Sequence, residues 1–333
     1  MHFFCEQCKK EYPVATHAFQ CECGGLFRLY QSAMDAEDVH AGVTLGELPT
    51  PLLPRMIDGQ RFYFKMEDRQ PTGSFKDRGA KRLIGELAHI GIDHVVVDSA
   101  GNAGAAVAAY AAAAGIACRV YVPDDVSAER VKQITAYSAD IVRVPNGRAQ
   151  TMEMAQEELG DAYYASHIYN PLFIDGVKSM AYEIYDQLGG TVPDYIFVPI
   201  GNGTMLLGLY QGFEEIGRLP HFIGVQSTKC APVVEALHHL PHTSYRHTIA
   251  ETIRVEAPPR MEEILWVLRS SQGDAVAIED GAILTASKAL GQRGIYAELT
   301  AAAALAGAQT FFANGMPDNY RVVVPVPGSG LKR

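Results

Sequence analysis

The feature that most constrains the fold of this chain is a repeated order of apolar strand, turn and helix. The pattern begins at His94–Val97, an apolar run typical of a buried strand. Strands that alternate with helices predict a parallel sheet, because right-handed crossovers return each strand in the same direction. The chain is therefore predicted to be an α/β protein. Strands are predicted at 61–66, 94–97, 118–122, 141–144, 195–200, 221–225 and 321–326, and helices at 105–114, 129–137, 149–159, 177–188, 205–216, 261–270, 283–290 and 300–312.

The length of the chain predicts more than one domain. It has 333 residues, which exceeds what one hydrophobic core usually holds and suits about two domains. We predict a small α/β domain at 93–175, inserted in a large domain formed by 31–92 and 176–333, and a separate segment at 1–30. Within this division the mixed, acidic residues 31–48 are predicted to be a connector.

Composition and charge exclude several classes of function. The net charge is −10, which argues against a nucleic-acid partner held through its phosphates. No run of about 18 apolar residues is present, so we expect no membrane span. Residues 1–5 lack a basic region and a cleavage site, so secretion is not expected. Six cysteines in a chain of this length do not form a disulfide scaffold, and we expect a reducing, cytoplasmic environment.

Four cysteines lie close together near the N-terminus. Two pairs, Cys5 with Cys8 and Cys21 with Cys23, fall within nineteen residues. Two such pairs suit a tetrahedral zinc ribbon, in which four thiolates leave no open position and the metal is structural. The second pair is one residue shorter than the usual knuckle. Free thiols, or a metal site lost from this protein, are the alternatives.

A second stretch carries candidate chemistry at residues 71–79, PTGSFKDRG. It follows a predicted strand and precedes a run whose apolar residues share one helical face, so Lys76 is predicted in the first turn of a helix. Ser74 and Asp77 resemble a capping box. The dipole disfavours a cation in a first turn, which favours use of Lys76 as a neutral amine. A solvated cluster of charges is the alternative.

The stretch 71–79 resembles the pyridoxal-phosphate lysine motif of the threonine synthase family, whose members have the tryptophan synthase β-like fold, or fold type II. The resemblance implies two parallel-sheet α/β domains, with pyridoxal 5'-phosphate bound to Lys76 as a Schiff base and in contact with Phe75. The N-terminal cysteines are similar to the zinc ribbon of many threonine synthases. A homodimer is also implied, since the family is often dimeric.

Three further turns resemble cofactor or substrate loops of that family. The turn Gly201, Asn202, Gly203 and Thr204 is similar to its cofactor-phosphate loop, and glycine amides before a helix can hold an oxyanion. An ordinary strand-to-helix loop is the alternative.

The turn between the strand at 94–97 and the next helix resembles the family's substrate-carboxylate loop. Its members are Ser99, Ala100, Gly101, Asn102 and Ala103. Asn102 would also hydrogen-bond the ring hydroxyl of the cofactor, unless it is a plain helix cap.

The C-terminal turn at 327–332 resembles the family's cofactor turn, but Pro327 stands where a Ser or Thr usually meets the pyridine nitrogen. Ser329 is the local hydroxyl that could substitute. No acidic partner is evident from the sequence, so the ring nitrogen is expected to stay unprotonated. Glu298 is a candidate near the ring edge, because its segment resembles another of the family's segments.

The resemblance implies that Lys76 removes the α-proton of a small amino acid, and that a leaving group on Cβ or Cγ then departs. Serine, threonine and phosphoserine are candidate substrates. Threonine synthase itself must bind a second phosphate, yet the matching positions here hold apolar residues or histidine, which disfavours a buried dianion. These positions are Ala100, Ala103, His167, Ile168 and Phe173. Threonine synthase proper, and a zinc-ribbon interaction protein with the cofactor as a structural ligand, remain alternatives.

Overall fold

A computed structural model describes residues 1–31, 42–145 and 147–332 of the chain. Part of the predicted connector, at 32–41, lies outside the described residues. The strands are β1 His2–Cys5, β2 Glu11–Tyr12, β3 Phe27–Tyr30, β4 Leu52–Ile57, β5 Gln60–Lys65, β6 His94–Val97, β7 Ala117–Pro123, β8 Asp140–Val144, β9 Tyr163–Tyr164, β10 Tyr195–Pro199, β11 His221–Ser227, β12 Asp274–Ile278 and β13 Val322–Pro325.

The helices follow the same chain order. They are α1 Lys76–His89, α2 Asn102–Ala114, α3 Ala128–Ala136, α4 Gly147–Glu157, α5 Pro171–Val177, α6 Ser179–Gln187, α7 Thr204–Ile216, α8 Pro232–Leu237, α9 Met261–Ser270, α10 Asp280–Gly291 and α11 Leu299–Phe311. None of the described helices combines the length and the apolarity needed to cross a bilayer.

The chain forms two compact units. The first comprises 1–47 and 76–177, and the second comprises 48–75 and 178–333. The predicted division differs, because it made 1–30 a separate segment and assigned 31–47 and 76–92 to the large domain. Helix α1 instead buries Leu83, Ile84 and Leu87 in the core of the first unit. Burial of these side chains, rather than chain continuity, decides the grouping.

The first unit contains two sheets. One has four parallel strands in the order β8-β7-β6-β9, and the other has three antiparallel strands in the order β2-β1-β3. Val95, Val96 and Val97 are all buried, as expected for the centre of a parallel sheet. Helix α2 follows directly and is rich in alanine. Its Gly104 allows close packing, because a Cβ there would lie 1.9 Å from the Ser99 carbonyl oxygen.

The second unit has one sheet of six strands in the order β12-β11-β10-β13-β5-β4. Its strands are parallel except β4, which pairs antiparallel with β5 at the edge. The sequence did not predict β4 because Pro54 lies within it, and proline is tolerated in a strand at a sheet edge. Helix α11 packs closely on the sheet, since Gly307 faces the side chain of Val225.

The prediction of an α/β protein with parallel strands is confirmed. The predicted strand at 94–97 has the same bounds as β6, and the predicted helices at 129–137 and 205–216 each begin within one residue of α3 and α7. Strand β12 was missed, because its run DAVAI is short and contains aspartate and two alanines, which are depleted in strands.

Candidate active site

Lys76 is the first residue of α1, so its predicted position in the first turn is confirmed. The helix dipole disfavours a cation at this end. The Lys76 Nζ lies 5.6 Å from the centre of the Phe173 ring, within the same unit. Phe173 is fully buried and lies against Gly79, where a Cβ would meet its Cδ1 at 2.1 Å. The Phe173 ring, which packs directly on Gly79, therefore borders Lys76.

The Phe173 ring contacts His167 as well as Lys76. The rings of His167 and Phe173 are 6.0 Å apart in an edge-on arrangement. His167 is 6% exposed, so it lies in the interior of the first unit. Ile168 is likewise buried. His167, Ile168 and Phe173 are therefore all in the interior of this unit.

The predicted capping box at Ser74 is wrong. Among the described residues, the fully buried Ser74 hydroxyl has no hydrogen-bond partner, and the helix begins two residues later. The backbone explains this difference. Gly73 turns the chain with a φ of 86°, Ser74 then forms an antiparallel bridge with Gly328, and the Phe75 amide donates to the Pro327 carbonyl at 3.0 Å. Residues 73–75 are thus tied to the C-terminal turn.

The turn from Ser99 to Ala103 forms the N-terminal end of α2. Gly101 occupies the cap position, without a side-chain cap hydrogen bond, so Asn102 is the first helical residue and not the cap. The Gly101 amide donates to the Ser99 hydroxyl at 3.3 Å. Ala100 is half-buried and Ala103 buried. The backbone amides in the first turn of α2 donate no hydrogen bond to a cap side chain, so they can bind a carboxylate.

The glycine turn of the second unit has the corresponding arrangement. Helix α7 begins at Thr204, and its cap residue Gly203 has a φ of 82° and makes no side-chain cap hydrogen bond. A Cβ at Gly201 would lie 2.8 Å from the Thr252 carbonyl oxygen, so only glycine fits there. Asn202 is half-buried between the two glycines. This turn can present backbone amides to an anion such as a phosphate.

The C-terminal turn follows β13, the strand next to β10 in the sheet. Parallel strands place their carboxyl ends at one edge, where α/β proteins bind ligands. Within the turn, Ser329 is half-buried and its hydroxyl accepts from the Leu331 amide at 3.2 Å. The Glu298 carboxylate lies against Gly328.

Sequence reasoning missed two features of this edge. The buried Ser74 hydroxyl was interpreted as a helix cap, and Thr252 was not identified as the packing partner of the glycine turn. Thr252 also hydrogen-bonds Thr300 at the start of α11. No local pattern could reveal these contacts, because the partners are about 50 residues or more apart in sequence.

Polar groups also support the segment that leads to Lys76. The Lys65 Nζ is fully buried and contacts Glu183 at 2.5 Å and the Thr50 carbonyl oxygen at 2.7 Å. Farther along, burial raises the pKa of Asp68, whose Oδ1 has no partner among the described residues. The end of β5 is therefore held by an ion pair whose lysine is fully buried and whose glutamate is partly exposed.

Taken by itself, the second unit has groups that suit a cofactor with a phosphate and a polar ring. Its turn at 201–204 leaves no room for a Cβ at Gly201, and no described side chain satisfies its buried Ser74 hydroxyl. Taken by itself, the first unit has an amine, that of Lys76, at the start of a helix. Phe75 is buried, and its contact with a cofactor ring stays a prediction.

The four N-terminal cysteines are brought together in the first unit. The sulfurs of Cys5, Cys8, Cys21 and Cys23 all lie within 4.8 Å of one another. Tetrahedral zinc with Zn–S bonds of about 2.3 Å requires sulfurs about 3.8 Å apart, which this cluster approaches. A hydrogen bond from the Tyr12 hydroxyl, at 3.2 Å, lowers the pKa of the Cys21 thiol to about 6. A thiolate at this position suits a metal ligand.

Residues 43–328 match the protein family described as "Pyridoxal-phosphate dependent enzyme". Among curated proteins, threonine synthase of Methanocaldococcus jannaschii is 31% identical over 98% of this chain and 92% of its own length. Threonine synthase of Synechocystis sp. is also 31% identical, over 96% of this chain and 86% of its own.

Solved structures share the fold. Maize serine racemase superposes with a TM-score of 0.78 at 23% identity, covering 90% of this chain and 94% of that one. A threonine deaminase from T.th. gives a TM-score of 0.77 at 24% identity, covering 90% of this chain and 98% of that one.

Proposed function

Because the chain belongs to the pyridoxal-phosphate dependent enzyme family, we propose that it catalyses elimination or replacement at Cβ or Cγ of a small amino acid. Bound pyridoxal phosphate supplies an electron sink for charge that develops at the amino acid's Cα. Serine, threonine and phosphoserine are the candidate substrates. The observation that carries the proposal is Lys76 at the start of α1, beside the buried ring of Phe173.

Each loop has a defined part in this proposal. Lys76 would hold the cofactor and then, as a free amine, take the α-proton of the substrate. The amides of Ser99–Ala103 at the start of α2 would bind the substrate carboxylate, and Asn102 would orient the ring. The turn at 201–204 would bind the cofactor phosphate, and Phe75 would pack on the ring.

The apolar neighbourhood of Lys76 supports a substrate without a second phosphate. Phe173 is pressed on Gly79, and His167 stands edge-on to its ring, so a phenyl group borders the lysine on this side. A phosphate dianion beside a phenyl ring would lose its hydration without ionic compensation, which is costly. A hydroxyl leaving group carries no such penalty, so serine and threonine are favoured over phosphoserine among the candidates.

Borohydride reduction tests the proposal. We expect the reduced, labelled protein to yield one labelled peptide, containing Lys76, and Lys76→Ala to abolish labelling and turnover. Lys81→Ala is the matched control, since Lys81 lies on the same helix and pairs with Glu47 at 2.8 Å. Label on another peptide, or a protein without the yellow cofactor band, would contradict the assignment.

A substrate panel then identifies the reaction. We expect serine or threonine to shift the cofactor band and to release ammonia and a 2-oxo acid. Threonine synthase proper is the second candidate, supported by the 31% identity to curated threonine synthases over nearly the whole chain. Phosphate and threonine formed from O-phosphohomoserine would establish it. A band unmoved by every amino acid would favour the interaction-protein alternative.

We propose that the four cysteines hold one structural zinc ion, because their sulfurs already cluster. Metal analysis of purified protein should give about one zinc per chain, as expected of a Cys₄ site. A cytoplasmic location is also proposed, because six cysteines in a chain of this length do not suit a disulfide scaffold. A homodimer is proposed from the family resemblance, and light scattering would test it.

A further inference from the structure

The side chain of Glu298 lies against the turn that follows β13. An ideal Cβ at Gly328 would lie 2.9 Å from the Cδ and Oε2 of Glu298 and 3.0 Å from its Oε1. Any side chain at 328 would therefore displace the carboxylate. The preceding residue, Pro327, has no donor of its own.

The backbone fixes Glu298 in this position. Its amide donates to the Gly328 carbonyl at 3.1 Å, and its neighbour Ala297 forms an antiparallel bridge with Ser329. Glu298 is the cap residue of α11, yet it makes no side-chain cap hydrogen bond. The carboxylate is therefore turned away from the amides of its own helix and toward the turn.

A second, independent observation concerns the same glycine. Ser74 forms an antiparallel bridge with Gly328, and its fully buried hydroxyl has no hydrogen-bond partner among the described residues. A buried hydroxyl without a partner is destabilising, so such a group calls for a functional explanation. Gly328 therefore has the Glu298 carboxylate against its Cα and Ser74 as its backbone pairing partner.

The neighbouring strand end suggests which ligand atom they meet. The glycine turn at 201–204 follows β10, and β13 is the adjacent strand, so both turns lie at one edge of the sheet. If the turn at 201–204 held the phosphate of the cofactor, its ring would lie along this edge. The side chains around residues 327–329 would then be candidate partners for the ring nitrogen.

We propose that Glu298 is the acidic partner of the ring nitrogen of bound pyridoxal phosphate, with Ser74 as the neighbouring hydroxyl. This inference rests on the proposed function. A carboxylate beside the nitrogen favours its protonated form and strengthens the cofactor as an electron sink. The expectation of an unprotonated ring came from the lack of an evident acidic partner in the sequence, and this proposal supplies one. Ser329 would then not be required as the partner of the nitrogen.

Nitrogen NMR of the holoenzyme, loaded with pyridoxal phosphate labelled with ¹⁵N in the ring, tests the inference. We expect the wild-type resonance at the position of a protonated pyridine, and Glu298→Gln to move it to that of a neutral one. Glu279→Gln is the matched control, since Glu279 caps α10 without a side-chain cap hydrogen bond. It should leave the resonance unchanged, and Ser74→Ala should leave the ring protonated.

Three results would overturn the inference: a neutral ring in the wild type, an unmoved resonance in Glu298→Gln, or a larger change in Ser74→Ala than in Glu298→Gln. Borohydride labelling of Lys76 in each sample separates this outcome from failure of the proposed function. Label at Lys76 with a neutral wild-type ring refutes only the role of Glu298. Absence of label in the wild type refutes both.

Discussion

Substitution of Gly79 by alanine tests the packing that borders Lys76. The new Cβ would lie 2.1 Å from Cδ1 of Phe173 and 2.6 Å from the Phe173 carbonyl oxygen, where ordinary contacts begin at 3.4 Å. Rotation of the ring could relieve the first overlap but not the second, because the carbonyl belongs to the backbone of α5. The helix itself must therefore move.

The magnitude follows from two opposing terms. Overpacking a buried site costs about 1–3 kcal/mol, and an overlap with backbone belongs at the upper end of this range. Replacing glycine by alanine within a helix stabilises the folded state by about 1 kcal/mol. The expected net loss is about 2 kcal/mol, which lowers Tm by roughly 4–8 °C for a unit of this size.

Thermal and urea denaturation of Gly79→Ala, alone and with Phe173→Leu, measure this effect. The smaller side chain should recover part of the loss, with a coupling energy of about 0.5–3 kcal/mol. Gly281→Ala is the control, because a Cβ there meets no atom within 4 Å and the substitution should stabilise by up to about 1 kcal/mol. A neutral Gly79→Ala, or strictly additive effects, would refute the packing argument.

Three further substitutions test other contacts. Lys65→Met should destabilise by about 3–5 kcal/mol in urea denaturation, because it leaves the Glu183 carboxylate without its buried partner; a loss below about 1 kcal/mol would contradict this. Burial would raise the pKa of Glu47, but hydrogen bonds, led by that of Lys81, outweigh it and hold the pKa at about 2. Its contribution to stability is therefore complete above its unfolded pKa of about 4.3 and is lost as the pH falls through about 2. Glu47→Gln should differ most from wild type at neutral pH, and an equal difference at pH 2 would refute the linkage. Cys8→Ser should lose bound zinc and lower the Tm of the first unit, and unchanged zinc content would exclude Cys8 as a ligand.

Much of the candidate site could be predicted from local sequence. Lys76 falls at a helix start because the chain before it is broken by Pro71 and Gly73 and the chain after it has helical periodicity. The turns at 99–103 and 201–204 were placed correctly between strand and helix, since apolar runs bounded by glycine and polar residues are local signals. The roles of these residues toward cofactor and substrate remain predictions.

The failures have a common cause. Ser74 and Asp77 have the spacing of a capping box, but Ser74 pairs with Gly328, about 250 residues later. Strand β4 was missed because Pro54 is acceptable only where a strand lies at an edge, and the edge is known only once the sheet is formed. Local spacing cannot report on either partner.

The sequence by itself determined the α/β class, the order of most elements and the placing of Lys76 at the start of a helix, because periodicity, glycine and proline act on neighbouring residues. Tertiary structure decided the sheet order, in which β13 lies between β10 and β5, and therefore which turns share an edge. It also decided that Phe173 packs on Gly79 and that Glu298 reaches Gly328. These contacts depend on burial and close packing between segments far apart in the chain, which no local pattern encodes.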